Sequence, residues 1–100
     1  MSTEEKLRFT LGQIVATPGA LEALHRSNVP GVEYLRRHAS GDWGTVCEED
    51  RQSNEDALKT GARLMSAYFL PDETKLWIIT EAADDNGNRA ATTLLLPDEY

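Results

Sequence analysis

Few side chains in this 100-residue sequence could do chemistry, and most of them fall in one stretch. His38-Ala39-Ser40-Gly41-Asp42-Trp43-Gly44 gathers an imidazole, a hydroxyl, a carboxylate and an indole, with two glycines flanking the Asp-Trp pair. Glycine there permits positive φ or a close backbone approach. Two readings stay open. In one, the stretch is a binding loop, with His38, Ser40, Asp42 and Trp43 as its working groups and Tyr34, one helical turn before His38, beside them. In the other, which the residue types favour, it is a structural corner. Asp42 then bonds nearby backbone N–H groups, and Trp43 plugs the core.

His38 titrates near neutral pH in its ordinary state and so qualifies as a general acid or base. The plainer reading is a helix-end histidine that complements the helix dipole. His25, in a polar helix end beside Arg26, is weaker, and the two histidines lack metal-ligand spacing. No metal or cofactor is expected. The lone Cys47 excludes an internal disulfide, and its neighbours Glu48 and Glu49 would raise a thiol pKa rather than lower it. A small, semi-buried role is expected for it. Asp84-Asp85-Asn86-Gly87-Asn88 lacks the alternating ligands and final glutamate of a calcium loop. Thr80, Thr92, Thr93, Arg63 and Arg89 fall on or beside expected strands. Gathered on the face away from the helices, they would suit a phosphate or carboxylate. Threonines are also common on half-exposed strands, and arginines at strand ends.

The elements that must carry these groups are partly legible. Residues 1–6 read as a flexible tail and 7–100 as one domain. Leu7 to Val15 alternates like a short strand or extended arm, weakened by Gly12. Thr17-Pro18 starts a helix that Asn28 and Pro30 end. A second helix runs from near Pro30 to His38. A third begins at Ser53 in preference to Thr45, because residues 48–54 have no apolar face, and Gly61 ends it. Arg63–Leu70, Lys75–Glu81 and Arg89–Leu96 read as three strands joined by turns at Pro71 and at Asn86-Gly87. The expected fold is α+β in two layers, with N-terminal helices on a C-terminal antiparallel meander of three to four strands.

Lys and Arg total 10 against 17 Asp and Glu, a net charge of -7. That excludes a broad basic face for nucleic acid and docking on an anionic membrane. No apolar run is long enough to span a bilayer, and no signal peptide is visible, so a cytoplasmic setting is expected. The acidic residues come in groups, which read as solvated surface or, if they converge, as a face for a basic partner. An apolar edge at Leu94-Leu95-Leu96 would make a homodimer plausible, unless the Leu7–Val15 segment covers it.

The runs Arg36–Gly44, Lys75–Glu81 and Thr92–Pro97 together resemble small "plasmid-related" proteins of bacterial plasmids and integrated elements. The resemblance spans about Phe9 to Tyr100. It implies a mobile-element setting and transfers no catalytic residue. The resulting expectation is a non-enzymatic accessory protein that binds another protein, with Trp43 and Tyr34 as anchors. A narrower form is an inhibitor of a host defence or nucleic-acid-binding protein, which requires a contiguous acidic face. The alternative is a metal-independent ribonuclease, by likeness to the barnase-like and RelE-like architecture. It would use His38 as acid or base and Arg63 or Arg89 to stabilise the developing phosphorane charge, with His38, Arg89 and Thr92 meeting in one cleft.

Overall fold

A computed structural model describes residues 7–100; the expected tail, 1–6, lies outside the described residues. The elements are β1 (Gln13–Ala16), α1 (Pro18–Ser27), α2 (Gly31–Ala39), α3 (Glu48–Thr60), β2 (Leu64–Phe69), β3 (Lys75–Thr80) and β4 (Ala91–Leu95), followed by a 3-10 turn at Pro97–Glu99. The fold is α+β. Its sheet has the order β1-β4-β3-β2. β2, β3 and β4 form the expected antiparallel meander. β1 departs from it: this strand precedes the helices and pairs parallel with β4, so the sheet is mixed. The reason is topological. A strand whose chain then crosses the sheet through helices returns in parallel, whereas a tight turn forces an antiparallel neighbour. β4 is therefore interior, and Leu94–Leu96 is not a free edge.

Strand parity divides the sheet into two faces. Leu64, Ser66, Tyr68, Leu76, Ile78, Thr80, Thr92 and Leu94 share one face by register. The helices cover this side: Ala20, Ala23, Leu24 and Tyr34 pack on Tyr68, Leu76, Ile78 and Leu94. A smaller cluster of Trp43, Ala57 and Leu64, joined by Phe9, Val46 and Leu58, holds α3 and the N-terminal arm. The other face carries Val15, Thr93, Leu95, Trp77, Ile79, Met65, Ala67 and Phe69. Among the described residues α1, α2 and α3 leave it open, but the C-terminal 3-10 turn contacts β3 and Tyr100 meets Trp77, so Ala67, Ile79 and Leu95 are buried while Phe69 is exposed.

Local signals explain most boundaries. Thr17 accepts a hydrogen bond from the Ala20 N–H, Pro18 occupies the first helical turn, and Asn28 closes α1 in the left-handed conformation at φ 56°. α3 begins at Glu48, five residues before the expected Ser53 start. No side chain caps it, but Glu48, Glu49 and Asp50 fill its first turn, where negative charge complements the helix dipole. It needs little apolar surface, because a buried amide anchors it. Asn54 accepts from the Met65 N–H (3.0 Å) and donates to the Met65 carbonyl (2.7 Å), in the place of a missing strand neighbour.

Candidate functional site

Asp42 turns the chain at the end of α2. Its Oδ1 accepts the Gly44 N–H at 3.2 Å, its Oδ2 accepts Arg37 Nε–H at 2.8 Å, and its carbonyl accepts the Tyr68 hydroxyl. The hydrogen bond to Asp42 raises the Arg37 pKa, and burial pushes Tyr68 up to about 12. Beyond the turn, the Trp43 carbonyl and the Thr45 N–H bond the outer edge of β2 at Ala67. Gly44 is required at this junction. Its φ is +77°, and a Cβ would lie 1.9 Å from the Ala67 carbonyl oxygen. Trp43 is 3% exposed, stacks near Phe9 and donates its indole N–H to Glu55. Arg8 binds the same carboxylate with both Nη groups, and these two donors, Arg8 first, hold the Glu55 pKa below its usual range. Ser40 donates to the Arg37 carbonyl at the helix end.

The corner therefore takes the structural form. Tyr34 and Trp43, expected as surface anchors, are core residues: Tyr34 packs on Tyr68 with ring centroids 5.4 Å apart. An interface anchor must be exposed before binding, and neither is.

His38 is the centre of a buried polar chain. It is wholly buried, with Nδ1 2.5 Å from Ser66 Oγ and Nε2 2.8 Å from Thr80 Oγ1. Thr80 Oγ1 lies 2.8 Å from Thr92 Oγ1, which donates to the Leu11 carbonyl. Proton directions follow from the fixed end. Thr92 gives its proton to Leu11, so it accepts from Thr80. Thr80 therefore accepts from His38 Nε2–H, and Nδ1 is left to accept from Ser66. Every member is satisfied with a neutral imidazole. Phe9 and Trp43 set their rings edge-on to it at 5.2 and 5.8 Å. Burial, and secondarily the Arg89 charge, lower the His38 pKa to about 4.

The expected ribonuclease set is thus only partly assembled. His38, Thr80 and Thr92 converge, but on the helix-covered face rather than the open one. Arg89 is also buried, with its guanidinium donating to the carbonyls of Ala57, Ala62 and Glu81. It latches the C-terminal end of α3 to the sheet, and burial lowers its pKa. Arg63 lies apart, with its guanidinium 5.7 Å from the Tyr100 ring centroid. A cleft of about 430 Å³ runs between the arm, the end of α3 and the 84–87 turn. Arg8, Lys59 and Arg89 line it together with Asp84 and Asp85, while His38 does not reach it. General acid–base catalysis needs the imidazole within hydrogen-bond reach of a substrate, and here both nitrogens are occupied inside the protein.

Sequence reasoning missed Ser66, Asn54 and Phe9. Ser66 alternates with Leu64 and Tyr68, a parity that marks it as inward-facing. Nothing in the sequence pairs Asn54 with Met65. Cys47 is exposed at the N-cap of α3 rather than semi-buried.

Acidic residues do local work. Asp84 accepts the Asn86 and Asn88 N–H groups in the hairpin turn. Glu99 accepts from Thr17, Gly19 and Leu96, which caps α1 and depresses the Glu99 pKa. Among the described residues, no group of three His, Cys, Asp or Glu converges to hold a metal, and no helix is long and apolar enough to cross a membrane. Compared with family models, with curated proteins and with solved structures, the chain matches none, so its functional reading stands on this geometry alone.

Proposed function

We propose that this protein is a non-enzymatic binding module that presents the open face of its sheet to another protein. The observation that carries the reading is the composition of that face. Phe69 is 54% exposed, Tyr100 is 67% exposed, and half-buried Trp77 meets Tyr100 edge-on at 5.8 Å. Lys75 sits 5.3 Å from the Phe69 ring and Arg63 beside Tyr100, so cations stand next to the aromatic surface. Aromatic residues with an adjacent cation concentrate binding energy in protein interfaces. The fitting partner offers an apolar patch with carboxylates placed for Arg63 and Lys75. The net charge of -7 argues against nucleic acid as the ligand. A bacterial mobile-element setting rests on the sequence resemblance only. The ribonuclease reading loses support from the sealed imidazole. The inhibitor form needs a contiguous acidic face, and the local ties of Glu55, Asp84 and Glu99 do not favour one.

Affinity capture from a bacterial lysate with the wild-type chain and the Phe69→Glu and Tyr100→Ala variants tests this. Both variants should keep the wild-type circular dichroism and lose a partner that the wild type retains, each weakening capture by about tenfold or more. Retention of the same partner by both variants would remove the open face as the site.

A further inference from the structure

The two edges of the sheet are treated differently. At β2, Asn54 satisfies the outward backbone groups of Met65, and Trp43 and Thr45 satisfy those of Ala67. Among the described residues, Phe69 at the end of the strand is left. β1 has no such cover among the described residues. Its register with β4 turns the Gln13 and Val15 backbone groups inward, so those of Ile14 and Ala16 point away from the sheet. Ile14 is 46% exposed and Val15 42%, and they lie on opposite faces.

We propose that β1 pairs with β1 of a second copy of this chain, antiparallel about a twofold axis at Val15, to give one eight-stranded sheet. This edge lies across the sheet from the Phe69, Trp77 and Tyr100 patch proposed above, although Val15 shares its face. Three observations select a second copy. First, the register is self-complementary. With Val15 opposite its own copy, Ile14 faces Ala16 of the other chain and Ala16 faces Ile14. Those two pairs use all the outward N–H and C=O groups of both strands, and each chain's apolar rows continue into its neighbour's on the same face. Second, charge permits association here. In a chain of net charge -7, the run Leu7–Leu21 contains no acidic residue and a single charge, Arg8. Glu99, capping α1, is the nearby carboxylate, and it is hydrogen-bonded to Thr17 and Gly19. Third, apart from its shortness, β1 lacks the devices that keep sheet edges solitary: no lysine, proline or inward-pointing charge lies within Gln13–Ala16. A pairing of four-residue strands buries less than the ~1,200–2,000 Å² of a stable interface, so the dimer forms reversibly with concentration.

Sedimentation velocity from about 1 μM to about 1 mM tests this for wild type, Val15→Lys and Val15→Thr. The wild type should shift from the mass of one chain to that of two. Val15→Lys sets like charges directly opposite and should weaken association about tenfold or more, while Val15→Thr should still dimerise. Hydrogen exchange supplies the second measurement. The Ile14 and Ala16 amides should be protected at dimer concentrations and exchange freely in Val15→Lys. A single-chain mass for wild type throughout the range would overturn the proposal. So would a dimer that survives Val15→Lys with those amides unprotected, or protection of both amides in the monomer.

Discussion

At the scale of single residues, burial decides what the most reactive-looking group does. His38 has the chemistry of an acid–base catalyst and the position of a core side chain. Its two nitrogens are held by Ser66 and Thr80, and Phe9 and Trp43 exclude water from its edges. Such a network is stable only if the imidazole stays neutral, since a second ring proton would leave Ser66 without its acceptor and place a charge near Arg89. The consequence is a pH dependence of stability. The folded pKa is about 4 and the unfolded one is the ordinary 6.5, so the unfolded chain binds more protons between these values. Stability due to His38 is fully present above the unfolded pKa and falls as pH drops from about 6.5 toward 4. The loss amounts to roughly 3 kcal/mol when complete. Urea unfolding at pH 7.5 and 5 should show this decline, and His38→Gln, less stable at neutral pH, should show a shallower one. An equal slope in both proteins would place the titrating group elsewhere.

At the scale of elements, the sequence made some features visible and hid others for physical reasons. The start and end of α1 were legible because Thr17, Pro18 and Asn28 act through the backbone of their immediate neighbours. So was the β3–β4 hairpin, where Asp84 closes the turn around Gly87 by local bonds. The corner at Asp42 and Trp43 was legible as a corner for the same reason. What stayed hidden depends on groups far apart in the chain. The start of α3 was misplaced because amphipathicity is a poor guide to a helix anchored through Asn54 and favoured by three acids in its first turn. The parallel pairing of β1 with β4 leaves no mark in the four residues of β1, since strand direction is set by the crossover and not by side-chain type. Tyr34 was misjudged as an anchor, and the anchor role of Trp43 gives way to the core plug also read from its corner, because residue type does not reveal which apolar groups the helices will cover. Asn54 gives the sharpest check at this scale. Asn54→Ala removes both bonds to Met65 inside a site where Asn54 is 4% exposed, and should cost about 1–3 kcal/mol in urea unfolding. The Met65 amide should lose protection while those of β3 keep theirs. Stability within a few tenths of wild type would mean that water replaces the clamp at little cost.

At the scale of the whole molecule, the two apolar clusters imply unequal resistance to opening. The larger one joins α1 and α2 to β2, β3 and β4. The smaller one ties α3 and the Phe9 arm to the sheet through Trp43, Ala57 and Leu64, aided by the Arg89 latch and by the Glu55 contacts with Arg8 and Trp43. A unit with fewer buried apolar groups separates first, so the arm and α3 should open below the free energy of global unfolding. His38 lies at the seam, touching Phe9 and Trp43 on one side and β2 and β3 on the other. Opening of the smaller unit therefore uncovers the imidazole and lets it take up a proton. Native-state hydrogen exchange at pH 7 should give α3 amides a lower opening free energy than those of Leu76–Ile79 in β3. Near pH 5 both values should fall together, because both openings release His38 to its ordinary pKa. If the α3 value stayed constant while the β3 value fell, the imidazole would remain sealed when α3 departs, and the seam would lie on the other side of His38.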